Sequence, residues 1–415
     1  MADSGLTHTA SPIVITGVGL VTSLGWGMKT SFDRLSAGES GATTGTWNIR
    51  PGLALPWAGY PLPVAGPVPE KPWDDPVFSI LDHATREAMA DAGLSPGLID
   101  PNRIGVVVSL SKGAVKKLSR QQLESHHGQH APGGYLDSSP SAGAAFVASL
   151  NGACGPCLAP VTACASGLTA LRHGAALLER GLVDIVLAGA ADASLEPLMY
   201  SAFARMRSLA GPIQPEEPAG RWLRPWSSQR NGFLIGEGGA VFLLQRLSDV
   251  DPARHPNPLV IERFSAGSEA FHPTRPRLTT EILERVIARA FVANPADQPP
   301  DMVHLHATAT REFDMLEFQA VRRVLGKSLG YPWFVASKPA VGHCLGAAGA
   351  VELAISCEAL RRQLVPPFAP ASDSEMGHLV KTPGPLAQAY PLRQVLKIVA
   401  GFGGHMEVCL IDRIS

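Results

Sequence analysis

The chain has 415 residues, of which 45% are hydrophobic and 17% charged, with a formal net charge of -1. That length can bury a large interior and suggests two or three domains or two tightly fused halves. The near-neutral balance removes the electrostatic reason to expect nucleic acid or a membrane surface as the main partner. An acidic residue stands where a signal peptide would be basic, and no apolar run approaches the length of a membrane span, so the expected compartment is the cytoplasm. Six cysteines in so long a chain are read as reduced thiols rather than a disulfide framework.

In chain order, short β-branched runs alternate with helical stretches, the pattern of parallel strands covered by helices. Strand IVITGVG from Ile13 is followed by helix SILDHATREAMADAG from Ser79, strand IGVVVSL from Ile104 and a basic run, KGAVKKLSRQQLESHHGQH, from Lys112. Next come a buried strand, CLAPVTA, from Cys157, helix SGLTALRHGAALLERG from Ser166, and strands VDIVLAGAAD from Val183 and GGAVFLLQRL from Gly238. The order then repeats. Strand PLVIERFSAG from Pro258, helix TEILERVIARAFV from Thr280, strand MVHLHAT from Met302, helix DMLEFQAVRRVLG from Asp314 and strand WFVAS from Trp333 lead to helix GAAGAVELAISCEALRRQ from Gly346 and closing strands LKIVAG and MEVCLIDR. Pro212 to Trp222 and Ala387 to Arg393 read as loops. The repetition divides the chain into two similar halves, residues 1–255 and 256–415.

Three of the cysteines fall within CGPCLAPVTACASG, Cys154 to Gly167. Cys154-x-x-Cys157 has no second CxxC to complete a zinc site, and the lone His126-x-x-x-His130 stands upstream in the reverse of finger order. A redox CxxC opens a helix, whereas this one feeds a strand, so Cys154 and Cys157 are expected as small buried side chains. Cys164 differs, because it sits between a strand end and a helix start. There the helix dipole lowers a thiol's pKa and free N–H groups can hold an oxyanion. A small cysteine packed at a crowded turn would occupy the same position, and the choice depends on partners.

Three further stretches supply candidates. HLHATATREFDMLE places His306 at a strand end, followed by Thr308, Thr310, Asp314 and Glu317; SKPAVGHCLGAAGAVE places Lys338 and His343 before a small-residue helix carrying Glu352; GFGGHMEVCLI sets Phe402 in a glycine turn. His343 follows the third strand of its half as Cys164 follows the third strand of the other, so a pseudo-dyad would bring both to the centre.

With these residues in hand, the chain resembles the β-ketoacyl-acyl-carrier-protein synthases, or ketosynthases, of the thiolase superfamily, in their elongating Cys-His-His form. TACASG stands at Thr162 to Gly167, the HGTxT…D…E motif at His306, Thr308, Thr310, Asp314 and Glu317, KxxxGHxxGAAGAxE from Lys338 to Glu352, and GFGG at Gly401 to Gly404. RPWSSQRNGFLIGEGG from Arg224 and SEAFHPT from Ser268, which ends at Thr274, are also similar to family segments. The resemblance implies an α/β thiolase-like fold, two duplicated βαβαβαββ halves in a five-layer α-β-α-β-α arrangement.

It also implies a chemistry: Cys164 takes an acyl group from a carrier or coenzyme A thioester, and a malonyl-type thioester loses CO₂ and attacks it. His306 and His343 hold the enolate, Lys338 assists them, the N–H groups of Cys164 and Phe402 form the oxyanion hole, and Phe402 gates the pocket. Glu352, Asp314 and Glu317 support the network, while Thr308, Thr310 and Thr274 bind pantetheine. No metal and no tightly bound cofactor are implied, since phosphopantetheine comes with the substrate. The implied partners are acyl carrier protein and a second subunit, as homodimer or related heterodimer. An acyltransferase that does not decarboxylate and a non-elongating partner subunit are the competing functions.

The pattern breaks at Ala307 and Ala309, where the family has glycines, at Arg311 and Glu312, and at Ala400, His405 and Met406 around the final motif. These changes bear on the seating of the pantetheine arm and the motion of the gate. The basic run from Lys112 is read as a solvated helix face, and IQPEEPAGRW from Ile213 as added acidity.

Overall fold

The computed structural model describes residues 11–43, 75–95, 97, 99–126, 138–214, 216–291 and 299–414; His127 to His130, Pro215 and Val292 of the stretches above lie outside them. The elements used below are strand β1 (Ile13–Thr22), helix α1 (Pro76–Asp91), β2 (Ile104–Ser109), α2 (Val115–His126), α3 (Ala142–Asn151), β3 (Cys157–Leu158), α4 (Ser166–Glu179), β4 (Ile185–Asp192), β5 (Gly238–Arg246), β6 (Leu259–Ser268), α5 (Glu281–Phe291), β7 (Met302–His304), α6 (Arg311–Leu325), β8 (Trp333–Val335), α7 (Ala348–Arg362), β9 (Gln394–Gly401) and β10 (His405–Arg413).

Hydrogen bonding runs through the strands in the order β3-β2-β4-β5-β1-β6-β10-β9-β7-β8. Read from either end, each set of five has the order third, second, fourth, fifth, first. In both sets the fifth strand, β5 or β10, is antiparallel to its two neighbours. The sets meet where β1 and β6 pair antiparallel over Ile13↔Ile261, Val14↔Val260 and Ile15↔Leu259. Such identical orders in succession are the geometric form of the repetition read in the sequence.

Helices α1 and α3 pack on the outer face of the first set, and α5 with α6 on that of the second. Helices α4 and α7 lie between the sets, each touching strands of both, which makes five layers. Burial on all sides requires a helix that is apolar all round. The α7 run AGAVELAISCEAL is buried from Ala348 to Leu360, with only Glu352, Ser356 and Glu358 carrying polar side chains. Two glycines allow the central helices to approach. A Cβ on Gly167 would stand 2.6 Å from the Ala350 nitrogen, and one on Gly349 would stand 3.1 Å from Leu168 Cγ. On the outer face, α1 starts where Asp75 accepts from the Val77 N–H at 3.0 Å and Pro76 occupies the first turn.

The stretch from Cys157 departs from expectation. Only Cys157 and Leu158 are strand, both exposed, and Cys154 is exposed as well, so none of these is the buried packing residue anticipated. The cause is position and proline. Among the described residues β3 is the terminal strand of its set, paired only to β2, and Pro156 and Pro160 flank it where they cannot donate to a ladder. The two expected loops also hold short elements: a single 3₁₀ turn at Ala219–Arg221, and Gln388–Ala389, which pairs with Leu364–Val365. Among the described residues no helix is long and apolar enough to cross a membrane.

The Gly167 contact generates a test. Gly167→Ala should lower unfolding free energy by about 1–3 kcal/mol, because the new methyl meets backbone rather than a yielding side chain; the shift of the urea midpoint measures it, and an unchanged midpoint would contradict the close approach.

Candidate active site

Both central helices begin in the same way. A 3₁₀ turn at Ala163–Ala165 precedes α4 and one at Leu345–Ala347 precedes α7, and the first residue of each turn is left-handed, Ala163 at φ 49 and Leu345 at φ 43. Such conformations cost non-glycine residues energy and persist where the surroundings over-determine them. The two turns pack against each other and the first also against β9, which places Cys164 at the meeting point of the halves.

The glycine turn at the end of β9 reaches Cys164. A Cβ on Gly401 would lie 2.7 Å from the Thr162 carbonyl oxygen and 3.0 Å from the Cys164 nitrogen, so glycine is needed for the approach. The Phe402 N–H is thereby directed at the Cys164 sulfur. Gly403 donates to the Pro273 carbonyl at 2.7 Å, which sets exposed Thr274 beside the turn. Phe402 itself stacks on Phe203 at 6.3 Å; Phe203 meets Phe233 at 5.7 Å, and Phe233 meets His343 edge-on at 4.8 Å.

Cys164 is 9% exposed, and burial pushes its thiol up to about 11, with Asp192 adding to the rise while Lys112, Lys338 and the Phe402 N–H oppose it. The expected lowering by the helix start is therefore overcome. Removing a thiolate from water costs more here than one helix terminus and two distant ammonium groups return.

His306 and His343 are 4% and 2% exposed, with ring centroids 5.4 Å apart and planes at 84°. Burial, then the nearby Lys338 ammonium, hold both well below the usual imidazole range, so both are neutral. The loop after β7 carries His306 and is fastened from two sides. Glu317, on α6, accepts the N–H groups of His306 at 2.6 Å and Ala307 at 2.8 Å. On the other side Lys338 donates to the His306 carbonyl, pairs with Glu352 on α7, and stands 3.4 Å from His306 Nδ1. His343 donates its backbone N–H to Leu234 at 2.7 Å, while its Nδ1 has no partner among the described residues.

This fastening holds Ala307 at φ 41, while Ala309, at φ 58, is held by its carbonyl accepting from the Gly232 N–H at 2.9 Å and by Asp314 accepting its N–H; both lie in the left-handed region that glycines reach freely. The conformation survives the two methyls, both fully buried. Thr308 is buried, and its hydroxyl lies 3.0 Å from that of Thr310, which opens α6. Asp314 accepts from the Trp226 N–H at 3.1 Å; burial first and neighbouring Glu317 second raise it to about 7. Burial also raises Glu317.

Three groups escaped the sequence reading. Lys397, on β9, is 0% exposed and lies 2.5 Å from Glu352 Oε2. Its only signal was a lone cation in the apolar run VLKIVAG. Lys112 pairs with buried Asp192 at 2.7 Å, and Asp192 also accepts from Ser111, Ser194 and the Gly346 N–H. Lys116 pairs with buried Glu237 at 2.5 Å, so the basic run is a solvated face only in part. The acidic stretch from Ile213 is likewise partly consumed, since Glu217 pairs with Arg224 at 3.0 Å.

The beta-ketoacyl synthase N-terminal domain matches residues 69–250 and the beta-ketoacyl synthase C-terminal domain residues 260–372. The putative polyketide beta-ketoacyl synthase 1 of Streptomyces cyaneus is 30% identical over 96% of this chain and 97% of its own. The tetracenomycin polyketide synthase ketoacyl synthase alpha subunit of Streptomyces glaucescens is 29% identical over 98% of both. Among solved structures, the AntDE ketosynthase in complex with its acyl-carrier protein superimposes with a TM-score of 0.85 at 24% identity, over 98% of this chain and 100% of that one. The ishigamide ketosynthase/chain length factor does so at 0.84 and 24%, with the same coverage. At that identity the likeness establishes the fold, the thiolase-like α/β arrangement. With both domains matched across most of its length and the strand order repeated in its two halves, the chain belongs to the beta-ketoacyl synthase family.

Proposed function

We propose that this protein is a decarboxylating β-ketoacyl synthase of fatty-acid or polyketide type, acting in the cytoplasm, with residues 1–255 supplying the nucleophile and 256–415 the two histidines. One observation carries the reading: a thiol with a backbone N–H aimed at its sulfur occupies the junction of the halves, and two neutral imidazoles stand edge-on to each other in the second half. All six cysteines are free, as suits a reducing compartment.

In the first stage the Cys164 sulfur attacks an acyl thioester. A bond forms from that sulfur to the acyl carbon, the bond to the carrier sulfur breaks, and the thiol proton ends on the released carrier thiol. The N–H groups of Cys164 and Phe402 hold the tetrahedral oxyanion. In the second stage a malonyl thioester loses CO₂, and the electron pair of the broken C–C bond becomes an enolate. Neutral His306 and His343 donate to its oxygen without placing a full positive charge there, and the enolate carbon then displaces the Cys164 sulfur from the acyl carbonyl. Lys338, with Glu352, holds the ring of His306; Asp314 and Glu317 hold the loop. Thr308 and Thr310 present hydroxyls to the pantetheine arm, and Thr274 stands near its entrance. No resident cofactor is required, since phosphopantetheine enters with the substrate.

The relatives named as polyketide ketoacyl synthases, and the solved complex with an acyl-carrier protein, support a carrier protein as the acyl donor and malonyl donor. They equally support a second ketosynthase-type subunit as partner, identical or a chain length factor. Retention of Cys164 favours the elongating role over the non-elongating one. A thiolase would need a second reactive thiol in its glycine loop, whereas Cys409 is fully buried within β10.

Two tests apply. Intact-mass analysis after incubation with an acyl carrier should show a single acyl adduct that Cys164→Ala removes. His306→Ala and His343→Ala should each keep that adduct while CO₂ release from malonyl carrier falls about 10²-fold; acylation without any CO₂ from the unaltered protein would favour the non-decarboxylating acyltransferase. In the second, the buried thiol is protonated at neutral pH, so its alkylation by iodoacetamide should climb about ten-fold per pH unit from 7 towards 11. A plateau reached by pH 8 would show a thiol lowered in spite of its burial.

A further inference from the structure

Glu352 is the centre of an unusual arrangement. It is 1% exposed on a helix buried on all sides, yet two ammonium groups contact it, Lys338 at Oε1 and Lys397 at Oε2, and these are 1% and 0% exposed. One carboxylate and one ammonium would already balance. A second buried cation carries a desolvation cost of several kcal/mol and needs compensating contacts. Those contacts are with the segment that carries His306. Lys397 donates to the carbonyls of His304 at 3.3 Å and Leu305 at 3.0 Å, and Lys338 donates to that of His306. The two lysines thus take three successive carbonyls at the end of β7, where the pairing with β8 and β9 stops.

We infer that Lys397 is a positioning residue for the decarboxylation step: by occupying Oε2 of Glu352 and the two carbonyls before His306, it leaves Lys338 to hold Nδ1 of His306, so that the imidazole presents Nε2–H to the enolate oxygen. This rests on the ketosynthase reading above. The tautomer follows from donor geometry, since an ammonium has no acceptor and the ring nitrogen facing it must be the one without a proton. Without Lys397, Oε2 of Glu352 competes for the Lys338 ammonium and the strand end loses two of its fastenings.

The groups facing the Lys397 ammonium are Glu352 on α7, Lys338 before that helix, Glu317 on α6, and His304 and His306 from the β7 end. Burial and Lys338 push Lys397 down while Glu352 and Glu317 push it up, and burial prevails, leaving it at about 8. A lysine so placed loses its proton within the range where the enzyme can be assayed, which makes its contribution visible.

The experiment uses the full-length protein already acylated at Cys164 and measures CO₂ release from malonyl carrier between pH 6.5 and 9.5. The unaltered protein should slow as pH rises through about 8. Lys397→Met should reduce CO₂ release at pH 7 about ten-fold more than it reduces acylation of Cys164, and should lack the alkaline fall. Equal losses in the two steps, or an alkaline fall that persists in Lys397→Met, would overturn the assignment. Should the variant fail to fold, the unaltered protein still decides: a rate that falls through about 8 supports the inference, and a rate flat to pH 9.5 overturns it. Failure of the ketosynthase reading has a different signature, namely an acylated, unaltered protein that releases no CO₂ at any pH.

Discussion

The interaction on which the site depends is the two-sided fastening of one loop, residues 304–307. Glu317 takes its N–H groups from one side, and Lys338 and Lys397, tied to Glu352, take its carbonyls from the other. Every group involved is buried, so each contact acts in a medium where an unmade polar bond is expensive. The loop consequently has one arrangement, and His306 is delivered at its tip by four side chains, from α6, α7, β9 and the short helix Lys338–Val341 that follows β8.

The same fastening accounts for the tolerance of Ala307, and the bonds of Ala309 to Gly232 and Asp314 account for that of Ala309. Left-handed backbone costs an alanine roughly 1–2 kcal/mol, less than the hydrogen bonds that would be lost if the loop relaxed. Glycine is therefore replaceable at these positions in this chain, at the expense of two methyls beside the path assigned to the pantetheine arm. Gly401 and Gly167 are of another kind. There the limit is approach to backbone atoms, of Cys164 and Ala350 respectively, and no electrostatic clamp relieves it.

Duplication explains why the reacting groups converge. In each half a left-handed residue opening a 3₁₀ turn, followed by a central helix, comes after the third strand, and the two turns pack together about the junction. Cys164 and Gly346 hold equivalent places in the two turns, with His343 just before the second. One turn holds the proposed nucleophile, and the other follows the proposed hydrogen-bond donor. Burial needed to make the histidines neutral also raises the thiol, so the environment that suits the enolate step works against a resting thiolate.

Much of this was legible beforehand because it is local. Strand and helix alternation follows from patterns within a few residues, the repeat from the order of those elements, and the strand orders agree with it; Cys164, His306, His343 and Lys338 stand out by local motif spacing alone. The misjudged features share a cause. Cys157 was expected to be buried, but the sequence does not reveal that its strand is the outermost of its set. Lys112 and Lys116 were expected in solvent, but their partners Asp192 and Glu237 stand some eighty and one hundred and twenty positions away in the chain. Lys397 carried no signal beyond being charged in an apolar run. The amino-acid sequence by itself determined which chemical groups are available and at what spacing, since residue type and local pattern define the candidate nucleophile, the candidate donors and the turns. Only the tertiary structure decided the electrical state of those groups, because burial and the distance between charges arise when remote segments are packed together.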